Sequence, residues 1–345
     1  MPFASRAVRT VLLLTIGLSF IGAGGCATDR QVISQATTIH QGLEPAVMDD
    51  PTLNRYINAV GQRIVDVADE LDKQGFGPAS HKKSEDTSWM FKDMQFHFVN
   101  SKTLNAFTTG GKHMYIYNEL FQTVKNEDEL AAVMAHEYAH VYARHVAKAM
   151  DRQYAMLGLA AGAGIAGAAA GYQADDKQGA LTYGSAAAGA ALLAGQFLGM
   201  GFTRDDENEA DKLGFQFYVR AGYDPEKFAG FFQTLIDKGL DKTPEALSDH
   251  PKLSNRVANT EKRIRDLPPN ADEWRRPPIA SPSEFRDLQA RAARLGRTMP
   301  NDQSLQQAQL MLASFSSCVS PDEQPDQKRA QAIIAKAVQE RQRRR

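Results

Sequence analysis

The sequence predicts a mostly helical α+β protein with one small β-sheet and a C-terminal helical appendage. Three observations carry this. Apolar residues recur every three or four positions through most of the chain, two short segments near residue 100 alternate instead, and a proline-rich stretch sets residues 284–345 apart. With 345 residues, 43% hydrophobic and 23% charged, the composition is that of a globular protein of one large domain or two of ordinary size, which excludes a disordered chain and a polytopic membrane protein. The 40 Lys and Arg balance 41 Asp and Glu, so no overall field draws the chain to nucleic acid, and no nucleic-acid partner is expected.

At the start, Arg6 and Arg9 precede an apolar run from Val11 to Ile21, followed by Gly22-Ala23-Gly24-Gly25 and Cys26. That is the order of a secretory signal, so residues 1–25 are expected to be a signal peptide; the apolar run is shorter than the roughly 20 residues a spanning helix needs. A cysteine in that place resembles a bacterial lipobox, in which it becomes the lipidated first residue. Ala23 stands where Leu is usual, so cleavage after Ala27, with Gly25 and Ala27 as the small pair, is the other reading. On the first reading a lipid on Cys26 ties the chain to a membrane, residues 26–44 form a linker, and Ala27 in place of Asp favours outer-membrane sorting. Cys318 is left as an inert structural cysteine, since two cysteines make no disulfide framework.

Next, Leu53, Ile57, Val60, Ile64, Val67 and Leu71 form one face of a helix over 51–72. A loop rich in Gly, Ser and charge spans 75–87. Met94, Phe96 and Phe98 alternate with Gln95, His97 and Val99 as in a strand, and Gly110-Gly111 suits a turn with positive φ before a second strand, Met114–Tyr117. His97 and His113 lie in these strands and read as exposed or cross-strand side chains rather than ligands. Asn126 with Glu129, an acidic first turn, and Arg144 and Lys148 near the end mark a helix over 127–149. Two Ala/Gly blocks within 155–202 suggest a hairpin of closely packed helices, packed or surface-associated rather than spanning. Helices follow over 205–221, stopped by Gly222, over 225–238, opened by Asp224-Pro225, and over 251–266. Five of the 15 prolines fall in 268–283, a linker. Beyond it, 284–296, 303–315 and 326–341 are helical without a repeat period, and Arg341–Arg345 form a solvated basic tail.

The chemistry sits at His136-Glu137-Tyr138-Ala139-His140. On a helix, His136 and His140 lie about 40° apart on the wheel and one turn apart in height, the spacing that puts two nitrogens on one Zn²⁺. Glu137, about 100° from His136, is placed to take a proton from a metal-bound water. His145 is offset by about 140° and 180° from the two histidines and reads as a packing or supporting residue. A third ligand is needed, and Glu207 and Asp211 share one face of the 205–221 helix; alone they would read as a solvated acidic face.

These residues together resemble the gluzincin family of HtpX-like and CAAX-prenyl-endopeptidase-like zinc metallopeptidases. The carriers, in order, are Asn105-Ala106-Phe107-x-x-Gly110-Gly111, the pentad followed by Val-Tyr-Ala-Arg144-His145, Arg204-x-x-Glu207-x-x-Ala210-Asp211, and His250-Pro251-x-x-x-x-Arg256. The resemblance covers roughly 45–265 and points to the exported members without transmembrane helices. It implies a zincin-type metallopeptidase domain over 45–267 holding one Zn²⁺ per chain. His136, His140 and Glu207 would be the metal ligands, Glu137 the general base, Asp211 and Arg204 supporting residues around the ligands, and His250 a catalytic residue that stabilises the oxyanion or closes the zinc as a fourth ligand. It further implies an endopeptidase acting on unfolded or misassembled envelope proteins at the periplasmic face of the outer membrane, with Met114–Tyr117 pairing with extended substrate. The competing reading is a zinc-containing chaperone or assembly factor with little turnover. The 284–345 appendage lies beyond the resemblance.

Overall fold

The computed structural model describes residues 29–76, 86–162, 201–242, 251–315, 328–330 and 332. The signal segment with Cys26, most of the 155–202 hairpin, His250, Cys318 and the basic tail lie outside them.

The described residues open on a helix, α1 (Asp29–Leu43), where a linker over 26–44 was expected. Val32, Ala36, Ile39 and Leu43 explain it: they repeat at helical spacing and are all buried. In α2 (Pro51–Lys73) the apolar face read from the sequence is buried, and Asp50 caps the start by accepting from the Thr52 and Leu53 N–H groups at 2.9 and 3.0 Å. A single turn, α3 (Trp89–Lys92), leads into the sheet.

The sheet has three strands, β1 (Gln95–Val99), β2 (Ala106–Thr108) and β3 (His113–Tyr117), in the order β1-β3-β2. β1 runs parallel to β3, with Gln95 opposite His113, and β2 antiparallel, with Phe107 opposite Tyr115. Two expectations change here. Ala106–Thr108, for which no strand was expected, forms one, with all three residues buried. Met114–Tyr117 is the central strand, so its backbone is already paired on both sides, and a further strand would have to add to an outer strand instead. The turn itself is as read: Gly110 has φ +73°, and a Cβ there would sit 2.4 Å from Val146.

After α4 (Asn118–Thr123) comes α5 (Glu127–Tyr142), in which every residue but Asp128 is buried. Its start is capped as predicted, Asn126 accepting from the Glu129 N–H at 3.0 Å. Its end is not. The expected helix over 127–149 breaks at Arg144, which has φ 58°, and α6 (His145–Gly162) leaves in a new direction. A residue with a Cβ rarely takes this conformation; the Arg144 guanidinium is held by Asp29 at 2.6 Å.

Helix α7 (Arg204–Arg220) begins with a reciprocal capping box between Thr203 and Asp206 and ends before Gly222, which has φ +94°. The 225–238 segment divides into a 3₁₀ turn, Pro225–Lys227, and α8 (Gly230–Asp237); α9 (Leu253–Arg265) follows. The last two long helices, α10 (Pro282–Thr298) and α11 (Gln303–Ser314), add Phe285, Leu288, Ala292, Leu305, Ala308 and Leu312 to the same apolar core as α2 and the sheet. The Pro-rich segment before them is also fastened: the N–H groups of Ile279 and Ala280 donate to the Glu127 carboxylate at 2.6 and 2.8 Å. Tyr56 Oη donates to the same carboxylate at 3.2 Å. No helix among the described residues is long and apolar enough to cross a membrane.

Candidate metal centre

Two helices build the centre. On α5, the four-residue spacing brings the Nε2 atoms of His136 and His140 within 3.1 Å of each other. On α7, Glu207 faces them, one carboxylate oxygen 3.5 Å from His136 Nε2 and the other 3.8 Å from His140 Nε2. The approach depends on Gly214, two turns along from Glu207 on the same face: a Cβ there would lie 3.0 Å from the backbone of Ala135 and His136. All three donors are at most 1% exposed. Tetrahedral zinc with Zn–N bonds of about 2.0–2.1 Å asks for nitrogens roughly 3.3 Å apart, close to what the two imidazoles already offer. Two imidazoles and one carboxylate are also a donor set zinc accepts, so these residues fit the ion.

Around the donors, each histidine is fixed through its other nitrogen. His136 Nδ1 lies 2.9 Å from Asp211 Oδ1, where its N–H donates to the carboxylate. Asp211 is in turn gripped by Arg256, Nη2 to Oδ1 at 2.7 Å and Nε to Oδ2 at 2.9 Å, and the guanidinium is buried over the Phe232 ring at 3.9 Å. Burial works against the Asp211 charge, but Arg256 and His136 outweigh it and hold its pKa down to about 2. Burial and Arg256 likewise oppose a positive His136, yet its bonds to Asp211 and Glu207 carry it up to about 9. The two carboxylates therefore draw positive charge to His136, and a cation on the Nε2 side meets the same demand. His140, by contrast, is kept neutral by burial.

His140 has its own support. Its Nδ1 lies 2.9 Å from Nδ1 of His145, whose Nε2 lies 3.0 Å from Glu209 Oε2. One set of tautomers satisfies the chain: His145 donates to Glu209, His140 donates to His145, and His140 Nε2 keeps its lone pair for a metal. His145 reaches His140 because the helix breaks between them; wheel angles for a continuous helix do not apply across Arg144.

Glu137 is completely buried one residue from His136. Arg204, expected beside the ligands, is exposed in the first turn of α7, and the arginine that reaches Asp211 and His136 is Arg256. Sequence reasoning placed Arg256 in a signature without a role. It also missed Phe202, whose ring stacks on His140 with centroids 4.2 Å apart. The available signal was its place just before the Thr203 cap, where an apolar residue often packs across a helix start.

The sequence pattern of peptidase family M48 matches residues 83–264, just over half of the chain. The chain is 33% identical over 230 residues to the "Beta-barrel assembly-enhancing protease" of Escherichia coli (strain K12), covering 65% of this chain and 41% of that protein. To the protein of the same name from Yersinia pestis it is 32% identical over 228 residues, 64% of this chain and 41% of the other. With the "Mitochondrial metalloendopeptidase OMA1" of Saccharomyces cerevisiae it shares 30% identity over 190 residues, 52% of this chain and 48% of that protein. The chain thus spans about two-fifths of the length of the bacterial relatives.

Proposed function

The chain belongs to peptidase family M48, and from that premise we propose that it is a zinc metalloendopeptidase that cleaves unfolded or misassembled proteins of the cell envelope, β-barrel assembly clients among them. The observation that carries the chemistry is the convergence of His136, His140 and Glu207 in a buried pocket, with both imidazoles oriented from behind by carboxylate-terminated hydrogen-bond chains. Bound there, zinc supplies a Lewis acid and makes a water acidic near pH 7. The protein does the rest. Glu137 takes the proton from the attacking water and passes it to the leaving nitrogen. Asp211 and His145 keep the ligand tautomers fixed, and Arg256 keeps Asp211 ionised. His250 either stabilises the developing oxyanion or closes the site as a fourth ligand.

The client class is supported by the name the bacterial relatives carry and by the export signal read in residues 1–25. The location that goes with it is the periplasmic face of the outer membrane, with a lipid on Cys26 as the anchor.

The test uses the purified full chain and a permanently unfolded protein as substrate. Wild type is expected to hold zinc and cleave; Glu137→Gln is expected to hold zinc and lose cleavage by about 10²–10⁴-fold. Glu207→Ala should lose the ion. Cleavage that appears only in His250→Ala would mark that residue as a closing ligand. Bound zinc with no cleavage by any variant, together with suppressed client aggregation, would overturn the peptidase reading in favour of a chaperone.

A further inference from the structure

A second group of metal-binding side chains lies on the opposite face of the sheet and takes no part in the centre described above. His40 comes from α1, His97 from β1 and His113 from β3. One ligand atom from each lies within 4.8 Å of the others, the only such trio besides His136, His140 and Glu207 among the described residues. Parallel pairing explains two of the three: with Gln95 opposite His113, His97 falls diagonally across from it on the same face of the sheet. Their rings meet at 3.0 Å, His97 Nε2 to His113 Nδ1. Helix α1 then lays His40 over them, its ring parallel to His113 with centroids 4.0 Å apart and 4.9 Å from His97. The cross-strand relation expected for His97 and His113 is present, but the third ring makes it a cluster.

We propose that His40, His97 and His113 form a second divalent-metal site, one that takes zinc and clamps the N-terminal helix to the sheet. Imidazole suits zinc and its neighbours in the first transition series, and the chemistry of three imidazoles contains no carboxylate that would favour calcium or magnesium. The spacing of 3.0 Å between His97 and His113 is a few tenths short of the roughly 3.3 Å a tetrahedral ion would set. His40 brings one ring nitrogen within the same 4.8 Å. His40 is already oriented through Nδ1, which lies 3.0 Å from the Tyr115 hydroxyl, leaving Nε2 as the ligand atom. His40 and His97 are partly exposed, which gives an ion a way in. Burial keeps His97 and His113 neutral, at pKa values down to about 3 and about 4, and neutral imidazole is the form that binds metal. Three ligands leave the fourth position to water, and because they come from a helix and two strands an ion held by them would join those elements. Its target is informative. The start of α1 also holds Arg144 through Asp29, so the helix being clamped is the one that fixes the break between His140 and His145.

The experiment counts zinc in the full chain after dialysis against low micromolar zinc. Wild type is expected to hold about two ions, and His40→Phe, which keeps a stacking ring but no lone pair, about one. The double variant His136→Ala/His140→Ala should still hold one, and adding His40→Phe should remove it. Zinc should also raise the melting temperature of the His136→Ala/His140→Ala protein and leave that of the triple variant unchanged. His113→Gln provides a second route should His40→Phe fold poorly, with the metal-free melting temperature as the control for fold. A His136→Ala/His140→Ala protein that binds no zinc, or a folded His40→Phe and His113→Gln that each keep two, would overturn the proposal. None of these readouts depends on peptidase activity.

Discussion

His145 touches no substrate in the proposed reaction, yet it decides which nitrogen His140 can offer. Replacing it with Phe keeps the bulk and removes the hydrogen bond, and zinc affinity measured against a chelator should fall about 10–100-fold. Asp211→Asn should act on His136 in the same way, because the amide carries no charge and sets an NH2 group where Arg256 Nε now donates to Oδ2. Arg256→Leu goes further, leaving a carboxylate buried without its partner, and should cost about 3–5 kcal/mol in urea unfolding as well. That His136 and His140 share one face was legible in the sequence because one short helix sets both, and Glu207, which the structure brings to them, entered through a second motif. Arg256 was not, since it lies 120 positions from the imidazole it approaches and nothing local in 251–266 distinguishes a buried arginine from a solvated one.

Between elements, the decisive contact is that of α5 and α7. Gly214→Val would press a branched side chain on the Ala135 and His136 backbone, and the helices would have to part. The expected result is a loss of about 1–3 kcal/mol in stability together with weaker zinc binding, since Glu207 moves with its helix. A quieter junction is that of α2 and α10, where Arg291 Nε donates to both oxygens of the Asp50 cap at 2.9 Å. This bond, with the Thr52 and Leu53 N–H groups, holds the Asp50 carboxyl below its ordinary 3.8. A folded value below the unfolded one adds stability that is present above about pH 4 and lost as pH falls through the folded value. Arg291→Gln should therefore flatten the acid limb of a stability curve measured below pH 4. Helices with an apolar stripe and a cap could be read from sequence. The three-residue β2 is too short to alternate visibly, and the break at Arg144 uses no glycine to announce it.

Taken whole, the molecule is tied together over long stretches of chain. Residues 282–315 supply core side chains, so a chain ended at Ser281 should lose its near-ultraviolet circular dichroism and aggregate, because Tyr56 and Phe121 would be stripped of Phe285. Glu127→Ala should cost about 1–3 kcal/mol by leaving the Ile279 and Ala280 N–H groups without an acceptor. The composition shift at 268–283 was visible in the sequence; its attachment to α5 was not, because a proline-rich segment looks the same free or fastened. That attachment has a consequence in time. A chain made from its amino end has His136 and His140 in hand before Glu207 exists, and Glu127, at the head of the same helix, waits another 153 positions for Ala280. On the proposed reading the metal centre is therefore completed late in synthesis, and a copy ended before Glu207 should bind no zinc there.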